Sequence, residues 1–293
     1  MNQITTQYIT DGGTCYEQYV ITDPAAGTAL TITPERGGMI TGFTLNGEEY
    51  IWIRRPNFSE CNRPRFAVPI LFPNCGMPDG GVHTFEGKDY PMEIHGLADL
   101  CSWEVESVGP DGVTLVLEST PLTKFLYPFD FTLLVTYGLQ GKTATISLTV
   151  INEGDKPMPF SFGYHPYFVT SKLENVDFQV KAATCSENAK GEQPAAPEKI
   201  ILTRKEGADN SIRLLTGVEF PMTFTDSGNG HKVTVDADET FSNGVLWQQD
   251  AESFVCMEPW NGWANSVNEE GKHEVLEPDE AMTSEWSITI DKI

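Results

Sequence analysis

The chain has 293 residues, 40% hydrophobic and 21% charged, an ordinary globular composition long enough to bury a large core without staples. Acidic residues number 42 against 19 basic ones, a formal net charge of −23. A field of that sign opposes nucleic-acid phosphates and anionic lipid surfaces, which excludes nucleic acid as a partner, and most of the charge reads as a solvated surface.

From the N-terminus onward, residues 1–12 hold no basic residue and no apolar run, so no signal peptide is expected. Apolar stretches such as residues 66–72 fall far short of the roughly 20 residues that span a bilayer, so no membrane partner is expected either. Six cysteines are scattered without a C-x-x-C pair, which points to free thiols in a reducing cytoplasm. The five histidines are equally dispersed, and no metal site is expected from their spacing.

Strands are predicted from about residue 16 to the C-terminus. Asn46-Gly47 is a turn signal, because both residues tolerate positive φ. Residues 65–76 form an apolar run bracketed by Pro69 and Pro73, with Arg65 at its start, and prolines there disfavour a central hydrogen-bonded strand. His95 precedes Gly96, where the backbone can turn sharply and aim the imidazole; a lone histidine is also a common structural residue. Residues 114–118 and 131–137 are rich in β-branched and apolar side chains, and residues 143–150 and 285–290 alternate with period two. Such alternation places one face on a core and one in water.

Two later segments combine a titratable group with unusual neighbours. In Phe160-Ser161-Phe162-Gly163-Tyr164-His165-Pro166-Tyr167-Phe168 the histidine is wrapped in aromatics and held extended by Pro166. Flat rings around a polar tip suit a sugar, whose C–H faces they cover; a core histidine in an aromatic cluster is the plain alternative. In Cys256-Met257-Glu258-Pro259-Trp260, Glu258 ends an apolar run and is a candidate general base, or else a strand-end carboxylate facing solvent. Residues 186–199 are a surface loop rather than a domain boundary, and no repeat or linker divides the chain, so one unit over residues 1–293 is expected. Nucleophile elbow, Walker and dinucleotide glycine motifs are absent from the sequence.

Taken in order, Thr33-Pro34-Glu35-Arg36-Gly37-Gly38, Asn46-Gly47, Pro69-Ile70-Leu71-Phe72-Pro73-Asn74-Cys75-Gly76, His95-Gly96, Gly163-Tyr164-His165-Pro166-Tyr167-Phe168 and Cys256-Met257-Glu258-Pro259-Trp260 resemble the aldose 1-epimerase (galactose mutarotase-like) superfamily. The resemblance implies an all-β fold, a large antiparallel β-sandwich, with no cofactor and a small sugar as partner. It implies interconversion of the α and β anomers of an aldose, with His165 as general acid, Glu258 as general base and His95 binding the sugar near its ring oxygen. Tyr167 and Trp260 are expected to line the sugar site. Arg65 stands where the hexose-6-phosphate epimerase branch carries an arginine before Pro-Ile, whereas Met77 stands where the galactose-type branch has one. The sugar-binding aspartate of that branch has no match. Hexose-6-phosphate epimerase and a non-catalytic sugar-binding protein are therefore carried as alternatives. A glycosidase would need two carboxylates at a defined separation, and Glu258 alone has a persuasive setting. His165 and Glu258 are expected to face one another across a cleft.

Overall fold

A computed structural model describes residues 2–53, 63–110, 112–188, 193–203, 209–249 and 252–293. Among these residues the strands form three principal antiparallel sheets. The eight-stranded sheet runs, edge to edge, through Val176–Lys181, Glu219–Asp226, His231–Ala237, Ala281–Lys292, Thr143–Asn152, Phe131–Gln140, Gly112–Glu118 and Glu104–Gly109. Its central strand Thr143–Asn152 shows why it forms: Ala144, Ile146, Leu148 and Val150 are buried, while the threonines and serine between them are only partly covered. The N-terminal sheet begins earlier than the alternation suggested, with a hairpin of Gln3–Asp11 and Thr14–Asp23. The first of these strands is mostly exposed and buries no residue, so no buried face imprints a period on its sequence. The Asn46-Gly47 turn closes as expected, with φ of 52° and 79°.

A seven-stranded sheet carries the features that matter for function. It orders Thr184–Ser186, Asn210–Thr216, Asn243–Gln249, Phe254–Trp260, Gly163–Tyr164 and Ile70–Leu71, and Tyr167–Val169 pairs beside Gly163–Tyr164 on Phe254–Trp260. Its inner face packs on the eight-stranded sheet: Tyr164 lies 4.6 Å from Trp286 and Phe168 lies 5.8 Å from Phe224, centroid to centroid. Burying those two interior faces against one another supplies most of the driving force for the fold. The prolines at 69 and 73 confine regular pairing of the apolar run to Ile70–Leu71, with isolated bridges at Val68 and Phe72.

Candidate active site

The strand Phe254–Trp260 is buried on both faces. Val255 and Met257 belong to the main core, whereas Cys256, Glu258 and Trp260 project from the opposite face. Strand pairing then sets their neighbours. Val245 is opposite Glu258, and Leu214 is opposite Val245; Trp247 and Tyr167 are both opposite Cys256. Gly163 is opposite Trp260 and Tyr167 is opposite Cys256, so the same register places His165 opposite Glu258. Regular pairing is interrupted there: the His165 amide donates instead to the Pro69 carbonyl at 3.0 Å. The interruption explains how Pro259, which has no amide hydrogen, sits inside a strand that has partners on both sides.

Glu258 is therefore mid-strand and 1% exposed, which corrects the expectation that it ends the strand and removes the reading that it faces solvent. Its Oε1 lies 3.5 Å from His165 Nε2 and its Oε2 accepts a hydrogen bond from Trp260 Nε1 at 3.1 Å. His165 and Glu258 do not face one another across a cleft, as expected from the sequence, but sit side by side on its floor. The reason is the shared register, which makes them a cross-strand pair. Burial pushes the Glu258 carboxyl well above its usual range, and the Trp260 hydrogen bond opposes this only in part. Burial also pushes His165 down to about 3, with smaller contributions from the Arg65 and Arg63 guanidinium groups. Both shifts favour uncharged groups. A carboxylic acid beside a neutral imidazole holds one proton, the same number as a carboxylate beside an imidazolium.

His95 approaches from a loop beside the sheet. Its φ is 69°, a left-handed conformation uncommon for a residue with a side chain. Two hydrogen bonds hold it there: its amide donates to the Gly76 carbonyl at 2.7 Å, and its Nδ1 accepts from the Gly76 amide at 3.0 Å. An Nδ1 that accepts cannot carry a hydrogen, so the proton lies on Nε2 and the ring is a neutral donor. Burial and the nearby His165 and arginines keep its pKa well below the usual histidine range, in agreement. The His95 ring stands edge-on to His165 and Trp260, with centroids 5.2 and 5.9 Å away.

These groups line a cleft of about 690 Å³. Tyr167 stacks on His165, with centroids 4.6 Å apart and planes within 7°. Trp260, Trp247 and Trp263 add flat apolar surface, and Met77, half exposed, sits at the rim. Tyr164 and Phe168 point into the core instead. Gly163 makes room for the Trp260 indole, since a Cβ there would lie 2.8 Å from its Cδ1. Arg65 lines the cleft, exposed, and makes no hydrogen bond or ion pair among the described residues.

The structure adds a pair that the sequence did not single out as such. Arg63 bonds the Asp99 carboxylate and donates to the Gly96 carbonyl at 2.6 Å, bracing the loop that carries His95. Asp99 is 1% exposed, and burial pushes it up to about 7 although Arg63 opposes this. Asp99 also lines the cleft, so an aspartate is present there after all. The signal lay in its position three residues after Gly96, but only the folded loop shows its partner. The fold also brings together three residues that are dispersed in the sequence: His165, Cys256 and Glu258 offer atoms all within 4.8 Å of one another.

Comparisons with known proteins agree with this architecture. Residues 17–289 match the family model described as aldose 1-epimerase. The chromosomal LacX protein of Lactococcus lactis subsp. lactis is 26% identical over 286 residues, covering 87% of this chain and 94% of that protein. The crystal structure of the Slr1438 protein from Synechocystis sp. PCC 6803 superposes with a TM-score of 0.88 at 26% identity, over all of both chains. The galactose 1-epimerase of Lactobacillus acidophilus NCFM shares the fold, with a TM-score of 0.77 at 14% identity over 99% of each chain. The match over nearly the whole chain, on a β-sandwich of this topology, makes the protein a member of the aldose 1-epimerase family.

Proposed function

We propose that the protein is a mutarotase that interconverts the α and β anomers of a hexose by ring opening and closing. The observation that carries this reading is the buried pair of His165 and Glu258, 3.5 Å apart in an aromatic cleft. The ring oxygen and the anomeric oxygen of a sugar are bonded to the same carbon. Two groups in contact can therefore reach both at once, which groups on opposite walls would not need to do. Glu258 takes the proton of the anomeric hydroxyl while His165 gives one to the ring oxygen. The bond from the anomeric carbon to the ring oxygen breaks, and its electron pair stays on that oxygen. The hydroxyl's bonding electrons become the second bond of an aldehyde. Passing the carboxyl proton to the imidazole first makes the pair carboxylate and imidazolium, and opening returns it to carboxylic acid and imidazole. After rotation about the terminal carbon–carbon bond, closure on the other face reverses the transfer. The proton count of the pair never changes, so the cycle needs no cofactor. Positioned proton transfer of this kind contributes typically 10²–10⁴-fold. His95, a neutral donor through Nε2, is suited to an oxygen of the sugar near the ring oxygen. Tyr167 and Trp260 are suited to its C–H face.

The exposed Arg65 guanidinium, without an ion-pair partner among the described residues, favours a second reading in which the hexose carries a 6-phosphate. A cytoplasmic setting belongs to the reading and rests on thiols that are free at all five described cysteines. Polarimetry or NMR on freshly dissolved glucose, galactose and glucose 6-phosphate tests it. Anomer equilibration above the uncatalysed rate is expected. Preference for the phosphosugar that disappears in Arg65→Ala selects the second reading. Binding of sugar with no acceleration overturns both in favour of a sugar-binding protein on the same fold.

A further inference from the structure

Cys256 has no part in the chemistry above, yet it lies within reach of both of its groups. It precedes Glu258 by two residues on one strand and so projects from the same face. His165 stands opposite Glu258 on the neighbouring chain. A His165 ring nitrogen, Cys256 Sγ and a Glu258 oxygen lie within 4.8 Å of one another, and all three residues are buried. Two ligands held by a tetrahedral zinc at about 2.0–2.1 Å stand roughly 3.4 Å apart. The imidazole and carboxylate are already 3.5 Å apart, and the sulfur closes the set by moving about an ångström, within reach of a side-chain rotation.

We propose that His165, Cys256 and Glu258 form a binding site for a zinc-class divalent cation, which inhibits the enzyme by occupying its acid–base pair. The charge balance suits the site. A thiolate and a carboxylate neutralise a divalent ion beside a neutral imidazole, so the buried complex carries no net charge. Burial holds the thiol and the carboxyl protonated without a metal, and binding releases the thiol proton and the single proton of the pair to solvent. A soft thiolate with an imidazole selects zinc or cobalt over magnesium and calcium, which prefer all-oxygen cages. Trp260 Nε1 already orients the carboxylate through Oε2, as groups behind metal ligands commonly do. His165 and Glu258 line the cleft, which gives an ion a path to them.

Binding stands independently of the mutarotase reading, whereas inhibition rests on it, and the test separates the two. The full chain, freed of metal, is titrated with Co²⁺ while thiolate-to-cobalt charge-transfer absorption is recorded. Zinc affinity is then measured by competition with a chelating dye. A charge-transfer band in the wild type, lost in Cys256→Ser, is expected, with zinc binding weakened by at least about 100-fold in both Cys256→Ser and His165→Asn. Circular dichroism checks that each variant is folded, and His165→Asn keeps the test decisive should Cys256→Ser fail to fold. No band in the wild type, or a band that persists in Cys256→Ser, overturns the site. Where the protein equilibrates anomers, zinc should stop exchange, chelator should restore it, and Cys256→Ser should resist zinc by the same factor. Exchange that continues with the site saturated overturns the inhibition. Absence of exchange in metal-free protein refutes the mutarotase reading and leaves the cobalt spectrum to decide the site.

Discussion

Glu258→Gln isolates the proton transfer from everything else the residue does. The amide keeps an oxygen to accept from Trp260 Nε1, now held at 3.1 Å, and turns an NH₂ donor towards His165 Nε2, 3.5 Å away. That donor imitates the carboxylic acid that burial already favours, so the fold and the cleft should be unchanged. Glutamine cannot take the anomeric proton at neutral pH. The loss should be the full contribution of a positioned base, about 10²–10⁴-fold in kcat, or ~3–5 kcal/mol of barrier at 1.36 kcal/mol per decade. Sugar binding, followed by titration of the tryptophan fluorescence of Trp247, Trp260 and Trp263, should change little. Anomer exchange is followed by polarimetry from a freshly dissolved pure anomer. His165→Asn should fall by a similar factor, and the double variant should be little worse than either, because the two groups share one proton and act as a unit. Exchange within tenfold of wild type in Glu258→Gln would refute the assignment of the base. Losses that multiply in the double variant would refute the shared-proton mechanism.

Gly163→Ala should overpack the site, since the new Cβ would meet Trp260 Cδ1 at 2.8 Å and Cys75 Sγ at 3.0 Å; denaturant unfolding should show a loss of about 1–3 kcal/mol, and Trp260 emission should shift as the indole moves. Asp99→Ala should cost about 1–3 kcal/mol by removing the carboxylate from Arg63, which keeps the Gly96 carbonyl and the Glu93 carboxylate 3.9 Å away, while Arg63→Met with Asp99→Leu should recover much of that loss; an equal or greater loss in the double variant would mean the pair is not coupled. His83 is fully buried, with neither ring nitrogen partnered among the described residues, and burial pushes it down to about 4. A depressed histidine contributes stability that is present above pH 6.5 and lost as the pH falls towards 4, about 3 kcal/mol in all. His83→Phe should therefore gain on the wild type as the pH is lowered through that window; taking the difference cancels the opposite trend of Asp99, whose raised pKa favours the folded state at low pH. Parallel unfolding curves for the two proteins from pH 7 to 4 would rule the titration out.

How much of this was present in the sequence follows from how local each feature is. Thr143–Asn152 and Ala281–Lys292 were readable because each has one buried face, so the pleat prints its period on the residues. Asn46-Gly47 was readable because a turn is made by its own residues. Phe254–Trp260 was harder to place, since both of its faces are buried and its alternation is erased. His165 and Glu258 could each be singled out by an odd setting, but they lie 93 positions apart in the chain. Only the pairing of Tyr167–Val169 and Gly163–Tyr164 with Phe254–Trp260 sets them opposite one another, and it brings Cys256 beside them. The Arg63–Asp99 brace and the neutral donor tautomer of His95 depend on which loops meet, through contacts between residues 36 and 19 positions apart. The sequence by itself determined which residue types and strand periods were available. Tertiary structure decided their partners, their burial and hence their protonation, because register and desolvation belong to the packed sheet and to no single segment of it.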